Sequence, residues 1–230
     1  MSDFICFGHR GACGYEPENT LSSFEKAIAL GCPWIELDVY FVGGELLVIH
    51  DDSLERTTSG KGEVMDSGLY YLRSLDAGKA QQIPTLQEVA ELVDGRCGIN
   101  IELKGPDTAI PASIFAAALC RGYWQEEQFL FSSFNHKELI QADPAFKRGA
   151  LFHKKTDYLD RAEKLGAYSI NLSRKLVSRK LVEECHEHNF KVFVYTVNET
   201  KEIQQMIDMN VDGVFCDYPD RVFDILNPAN

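Results

Sequence analysis

The chain has 230 residues, 45% of them apolar, and carries 23 Lys and Arg against 35 Asp and Glu for a net charge of -12. This length fits one α/β barrel or two small domains, and the apolar share is enough for a full core. The acidic balance argues against a nucleic-acid or anionic-membrane partner, because either needs clustered Lys and Arg, so an anionic substrate must be caught locally.

Strand-like runs alternate with helical patterns from end to end. The first run is FICFGH (4–9), followed by a helix over 20–30 with Leu21, Phe24, Ala27 and Ile28 on one face. WIELDVYF (34–41) comes next, bounded by Gly31-Cys32-Pro33 and Gly43-Gly44. Side chains two apart on a strand share a face, so Glu36 and Asp38 point together while Ile35, Leu37 and Val39 take the other side. Two anions about 7 Å apart along a strand repel each other unless a cation or solvent reaches them.

About 40 residues then separate this strand from a helix over 84–94, and they contain one further strand, LLVIH. Inserts of that length in compact domains are usually lids or binding loops. GINIELK (98–104) repeats the alternation, with Asn100, Glu102 and Lys104 on one face. Strands at 128–134, 148–153, 168–173, 191–197 and 212–218 follow, interleaved with helices near 108–121, 135–142, 157–165, 175–188, 199–209 and 219–227. Eight strands separated by helices predict an α/β fold, a closed (β/α)8 TIM barrel, with an open doubly wound sheet as the rival. No GxGxxG turn supports the rival.

Adjacent barrel strands bring Glu102 beside Glu36 and Asp38, a hard oxygen set that suits Mg²⁺ or Ca²⁺ better than zinc. The same carboxylates could instead pair with neighbouring Lys and Arg, and spacing alone leaves both readings open. His9 and His50 each end a strand, followed by Arg10-Gly11 and Asp51-Asp52. An imidazole there is either structural or a general acid or base, and two beside an acidic trio favour the second. Arg10 and Lys104 supply local cations suited to a phosphate. His136, His186 and His188 fall in helical or polar stretches and are expected to face solvent, and His153 is a candidate substrate contact. Neither Ser132 nor Ser133 has a base nearby in sequence that would make it a nucleophile.

The seven cysteines, at 6, 13, 32, 97, 120, 185 and 216, form no C-x-x-C pair and fit neither a disulfide framework nor a zinc knuckle. They predict a reducing compartment and a cytoplasmic protein, as does the absence of a basic, apolar leader in MSDFICFGHRG.

In order, HRGACGYEPENTLSSFEKAIALG, WIELDV, LLVIHDDSLERTTSGKGEV, IPTLQEV, NIELK, VFVYTVNE and VDGVFCDYP resemble the glycerophosphodiester phosphodiesterase family over nearly the whole chain. The resemblance implies one TIM barrel over 1–230, with a small subdomain inserted after the second strand at 43–83 that caps the mouth. It also implies hydrolysis of a glycerophosphodiester to sn-glycerol 3-phosphate and an alcohol with a divalent cation, Mg²⁺ or Ca²⁺, in lipid and glycerol metabolism. By position, Glu36, Asp38 and Glu102 match the metal carboxylates, His9 and His50 the catalytic pair, and Arg10 and Lys104 the phosphate-binding cations. Asn19, in the PENT motif, matches a supporting residue, although Asn19 or Thr20 would also cap the first helix.

Two departures touch substrate preference alone: FVGGE at 41–45 replaces a T-x-D-G turn, and Tyr195 stands where relatives often carry Trp. The alternatives are a lysophospholipase D acting on lysolipids, a non-catalytic barrel that binds phosphodiesters, and an unrelated barrel lyase using the same acids. Neither a nucleic-acid partner nor a stable membrane anchor is expected.

Overall fold

Residues 4–227 are described in a computed structural model. The alternating segments form strands β1 (Ile5–Gly8), β2 (Trp34–Val42), β3 (Glu45–Val48), β4 (Gly98–Leu103), β5 (Phe129–Ser133), β6 (Lys147–Phe152), β7 (Ser169–Ser173), β8 (Lys191–Tyr195) and β9 (Gly213–Cys216). The helices are α1 (Leu21–Ala29), α2 (Leu69–Ser74), α3 (Leu86–Val93), α4 (Ala109–Cys120), α5 (His136–Leu139), α6 (Tyr158–Leu165), α7 (Arg179–Glu187), α8 (Thr200–Asp208) and α9 (Pro219–Leu226).

Eight strands pair in parallel in the order β1-β2-β4-β5-β6-β7-β8-β9, and β9 returns to β1, so the sheet closes into a (β/α)8 barrel. The ninth strand, β3, lies outside this ring. It runs antiparallel to the far end of β2, with Val39 opposite Val48 and Val42 opposite Glu45.

Outward-facing Ile35, Leu37 and Val39 join Ile99, Ile101 and Leu103 in the main core between barrel and helices. Inside the barrel, Phe7, Leu130, Phe193 and Phe215 form an apolar floor, with the Phe7 and Phe215 rings stacked at 4.6 Å. Each such side chain stabilises the fold by roughly 1.5–3 kcal/mol, and the plug confines polar chemistry to the upper half. Gly98 makes room for it, since a Cβ there would lie 2.6 Å from the Trp34 indole.

Segment 43–83 has its own small core, in which Leu54, Val64, Leu72, Leu75 and Ile83 pack with Tyr40 and Leu47 from the β2–β3 hairpin. This segment therefore stands on an extension of β2, at the same end of the barrel as Asp38.

Helix boundaries differ from the periodic pattern where side chains take over backbone partners. Expected at 135–142, α5 stops at Leu139: Asn135 caps its start, and the buried Arg148 guanidinium takes the carbonyls of Ile140 and Ala142. Expected from 175, α7 starts at Arg179 because Ser178 accepts from Leu181 N–H as the N-cap. The strands containing His9, His50 and Asp217 end one or two residues early, so these three side chains sit on loops just above the strands.

Candidate active site

The register of β2 against β4 sets Glu36 beside Asn100 and Asp38 beside Glu102. Oxygens of Glu36, Asp38 and Glu102 all lie within 4.8 Å of one another. Glu36 and Asp38 are 2% and 0% exposed, and the Glu102 side chain is 12% exposed. Burial, with the charges of Asp38 and Glu102 added, pushes the Glu36 carboxyl well above the usual carboxylate range. Burial and the neighbouring Asp38 likewise push Glu102 up to about 7, against the pull of Lys104.

Two cations offset two of these three charges. The Arg10 backbone N–H donates to Glu36 Oε2 at 2.8 Å, and its guanidinium donates to Glu18 Oε1 at 2.6 Å with Nε 3.5 Å from Asp38 Oδ2. Lys104 Nζ donates to Glu102 Oε1 at 3.0 Å and lies 3.7 Å from Asp38 Oδ1. Asn19 donates to Asp38 Oδ2 at 2.9 Å, while Thr20 caps α1 through Ser23 N–H. The capping alternatives thus resolve: Thr20 caps, and Asn19, at φ +57°, turns to the acid. Asp38 Oδ1 remains buried without a hydrogen-bond partner. A hard divalent ion fits a donor set of three carboxylates with an orphaned oxygen and surplus negative charge.

Both imidazoles are held at Nδ1 by a carboxylate. His9 Nδ1 is 2.6 Å from Asp217 Oδ1, and Asn198 donates to Asp217 Oδ2 at 2.6 Å. Although burial opposes it, the hydrogen bond and charge of His9 hold Asp217 down at about 2. His50 Nδ1 is 2.6 Å from Asp51 Oδ1, and its Nε2 is 3.2 Å from Lys104 Nζ. Burial, then the charges of Arg10 and Lys104, lower the His50 pKa despite the pull of Asp38. Arg56, from the insert, forks between Asp51 and Glu18, donating to Glu18 at 2.7 and 2.8 Å and to Asp51 Oδ1 at 2.8 Å.

A cavity of about 170 Å³ is lined by His9, Arg10, Glu36, His50 and Glu102 together with the apolar Phe134, Leu151, Tyr195 and Phe215. Tyr195 donates through its hydroxyl to Phe152 O at 2.7 Å, which holds its ring as part of the apolar wall. His153 is exposed at the rim, its ring 5.4 Å from Phe134.

The structure therefore brings His9, His50, Arg10, Lys104, Glu36, Asp38, Glu102 and Asn19 to one mouth of the barrel, with the His9 ring bonded to Asp217 and not to the other seven, and Tyr195 lines the same cavity. Sequence reasoning missed Asp217, Asp51, Glu18, Arg56 and Phe134. Asp51 adjoins His50, and Glu18 sits in PENT, so a signal existed for both. Nothing local marks Asp217, which is 208 residues from His9.

The expectation that His136, His186 and His188 face solvent holds only for His188. His136 is half-buried, with Nε2 3.1 Å from Leu151 O, and His186 lies 2.7 Å from Asp212.

A closed (β/α)8 barrel with three carboxylates, two imidazoles and two cations gathered at one mouth defines the class as a TIM-barrel protein with an acidic polar centre. The sequence profile of the glycerophosphoryl diester phosphodiesterase family matches residues 9–221. A glycerophosphodiester phosphodiesterase of Caldanaerobacter subterraneus subsp. tengcongensis is 34% identical over 96% of this chain and 97% of its own. One from Bacillus altitudinis is 36% identical over 95% and 96%. An Oleispira antarctica phosphodiesterase, solved in complex with the product sn-glycerol-3-phosphate, superposes with a TM-score of 0.89 at 29% identity, covering 97% of this chain and 96% of that one. The chain belongs to the glycerophosphoryl diester phosphodiesterase family, whose named relatives are phosphoric diester hydrolases.

Proposed function

We propose that the protein hydrolyses glycerophosphodiesters to sn-glycerol 3-phosphate and an alcohol, using His9 and His50 as the acid and base pair. One observation carries the assignment. Each imidazole is pinned at Nδ1 by its own carboxylate, Asp217 or Asp51, and both rings line the same cavity as Glu36 and Glu102 of the carboxylate trio. Paired, pre-oriented imidazoles suit a reaction that removes one proton and delivers another.

Glu36, Asp38 and Glu102 would hold a divalent cation, Mg²⁺ or Ca²⁺, which when bound supplies Lewis-acid polarisation of the phosphodiester and charge stabilisation. Arg10 and Lys104 donate to the non-bridging phosphate oxygens and strengthen those bonds as charge builds in the transition state. His50, kept neutral by burial and two neighbouring cations, takes the proton of the attacking oxygen. His9, beside the Asp217 anion, delivers one to the departing alcohol. The attacker is water or the glycerol 2-hydroxyl, and a substrate lacking that hydroxyl separates them: undiminished turnover eliminates internal attack.

The Phe134, Leu151 and Tyr195 wall covers the non-polar edges of the glycerol or its alcohol partner, and segment 43–83 caps the mouth. All seven cysteines are free thiols, which supports a reducing, cytoplasmic setting. Among the described residues no helix is long and apolar enough to cross a membrane.

The test is release of sn-glycerol 3-phosphate from a panel of glycerophosphodiesters with Mg²⁺, Ca²⁺ or EDTA, for the wild type and Glu102→Gln. Metal-dependent release that the substitution abolishes is expected. No release from any soluble diester with metal present overturns the proposal, and a lysophospholipid arm then measures the alternative.

A further inference from the structure

A second cluster of unlike donors adjoins the carboxylate trio without belonging to it. Cys13 Sγ lies 3.0 Å from Asp217 Oδ1, the oxygen that also holds His9 Nδ1 at 2.6 Å. One ligand atom from each of His9, Cys13 and Asp217 falls within 4.8 Å of the other two. The backbone holds them in register: His9 N–H donates to Cys216 O and Gly14 N–H to Asp217 O, each at 3.0 Å, so the loop after β1 is laced to the end of β9. Gly14 permits that approach, because a Cβ there would lie 2.3 Å from the Tyr218 ring. The His9 and Asp217 side chains are 18% and 23% exposed, enough for an ion to enter and keep a water as its fourth ligand.

We propose that His9, Cys13 and Asp217 form a second, inhibitory cation site that takes Zn²⁺ or another thiophilic divalent ion. The donor set decides the ion. A thiolate, an imidazole nitrogen and a carboxylate suit zinc, whereas the neighbouring trio of carboxylates suits a hard cation, so the two sites sort ions by softness. Burial and the Asp217 charge push the Cys13 thiol up, so it stays protonated and poorly reactive until an ion displaces its proton. Binding forms the metal–sulfur bond and releases that proton to solvent. The thiolate and carboxylate together then neutralise the ion's two charges.

Inhibition follows from where His9 is taken. With Nδ1 on the ion, the ring exchanges the Asp217 hydrogen bond that orients it for a metal bond and is held at the ion instead of being presented to the departing alcohol. This consequence rests on the assignment of His9 to proton transfer, whereas the site itself does not.

Cobalt(II) and zinc(II) titrations of the purified protein in saturating Mg²⁺ test both parts, with Cys13→Ser and Cys13→Ala compared with the wild type and each rate normalised to its own zinc-free value. Cobalt should give a thiolate-to-metal charge-transfer band in the wild type that both variants lack. Zinc should inhibit the wild type without relief by excess Mg²⁺, and the half-inhibiting concentration should rise at least about tenfold in the variants. Absence of the band overturns the site, whether or not the protein turns over a diester. A band with unchanged inhibition in the variants overturns the inhibitory role and leaves zinc acting at the carboxylate trio. If one variant fails to fold, the other decides.

Discussion

Lys104 Nζ stands 3.2 Å from His50 Nε2. An ammonium has donors only, so Nε2 must be the acceptor and Nδ1 carries the proton shared with Asp51. The ring is thereby set in one neutral tautomer. Burial and the charges of Arg10 and Lys104 lower its pKa, so the base form survives to lower pH than an ordinary imidazole of about 6.5. The acid limb of kcat/KM should accordingly lie below that value. Lys104→Met removes one of those charges and a phosphate contact, so the limb should move up while kcat/KM drops roughly 10²–10³-fold. A pH–rate profile of both proteins in saturating metal checks this, and an unmoved limb would take His50 out of the base role.

Glu102 is pushed up to about 7, and Glu36 is raised well above the ordinary carboxylate range. A carboxyl with a raised folded pKa stabilises the fold below its unfolded pKa, and that stability is lost as pH rises through the folded value. The cation-free protein should lose stability between pH 5 and 8 as these acids ionise together. A divalent ion reverses this by displacing their protons, so its affinity should rise with pH through about 7. At a hundred times Kd a bound ion adds about 2.7 kcal/mol, roughly 5–10 °C for a domain this size. Thermal melts with Mg²⁺, Ca²⁺ or EDTA should show a larger metal shift at pH 8 than at pH 6, and Glu102→Gln should shrink it.

Segment 43–83, which carries His50 and Asp51, is tied to the loop after β1 by the Arg56 side chain. Arg56 grips Asp51, which orients His50, and Glu18, which holds Arg10. Arg56→Ala should let both partners drift, lowering kcat by about 10–100-fold, the range typical of outer partners of a site, with a smaller change in KM. Guanidinium at low millimolar concentration should restore part of the lost rate in Arg56→Ala and none in the wild type. Equal loss of soluble protein and activity without rescue would assign Arg56 to folding alone.

Alternation made the barrel legible. Period-two patterns in WIELD and GINIELK fixed which faces bury Ile35 and Ile101, and the same pleat carried the acids to a common side. Side chains within a few residues of a motif were likewise readable. Partners supplied by chain closure were not: Asp217 meets His9 only because β9 returns to β1, and no local pattern encodes a contact 208 residues apart. Helix ends failed for a related reason, since the carbonyls beyond α5 are taken by Arg148 from β6. Between Asn19 and Thr20, spacing allowed either cap, and only the depth of Asp38 decided it.

Beneath the site, Gly98 should govern stability without touching chemistry. Its missing side chain admits the Trp34 indole, whose nearest ring atoms would lie 2.6 Å from a Cβ, and Trp34 packs against Phe7 at 5.6 Å in the barrel floor. Gly98→Ala must displace either the indole or strand β4, and overpacking of this kind costs about 1–3 kcal/mol. Melting should fall by roughly 2–12 °C at this chain length, while kcat per folded molecule stays near the wild-type value because the floor lies below the carboxylates. Trp34→Leu frees the space, so the double variant should be less destabilised than the sum of the two singles, by about 0.5–3 kcal/mol for residues in contact. Strict additivity would mean that the indole is not what Gly98 accommodates, and the strain would then lie in the β2–β4 backbone that carries Asp38 and Glu102. In that case activity would fall with the melting temperature, so the two readouts together locate the strain.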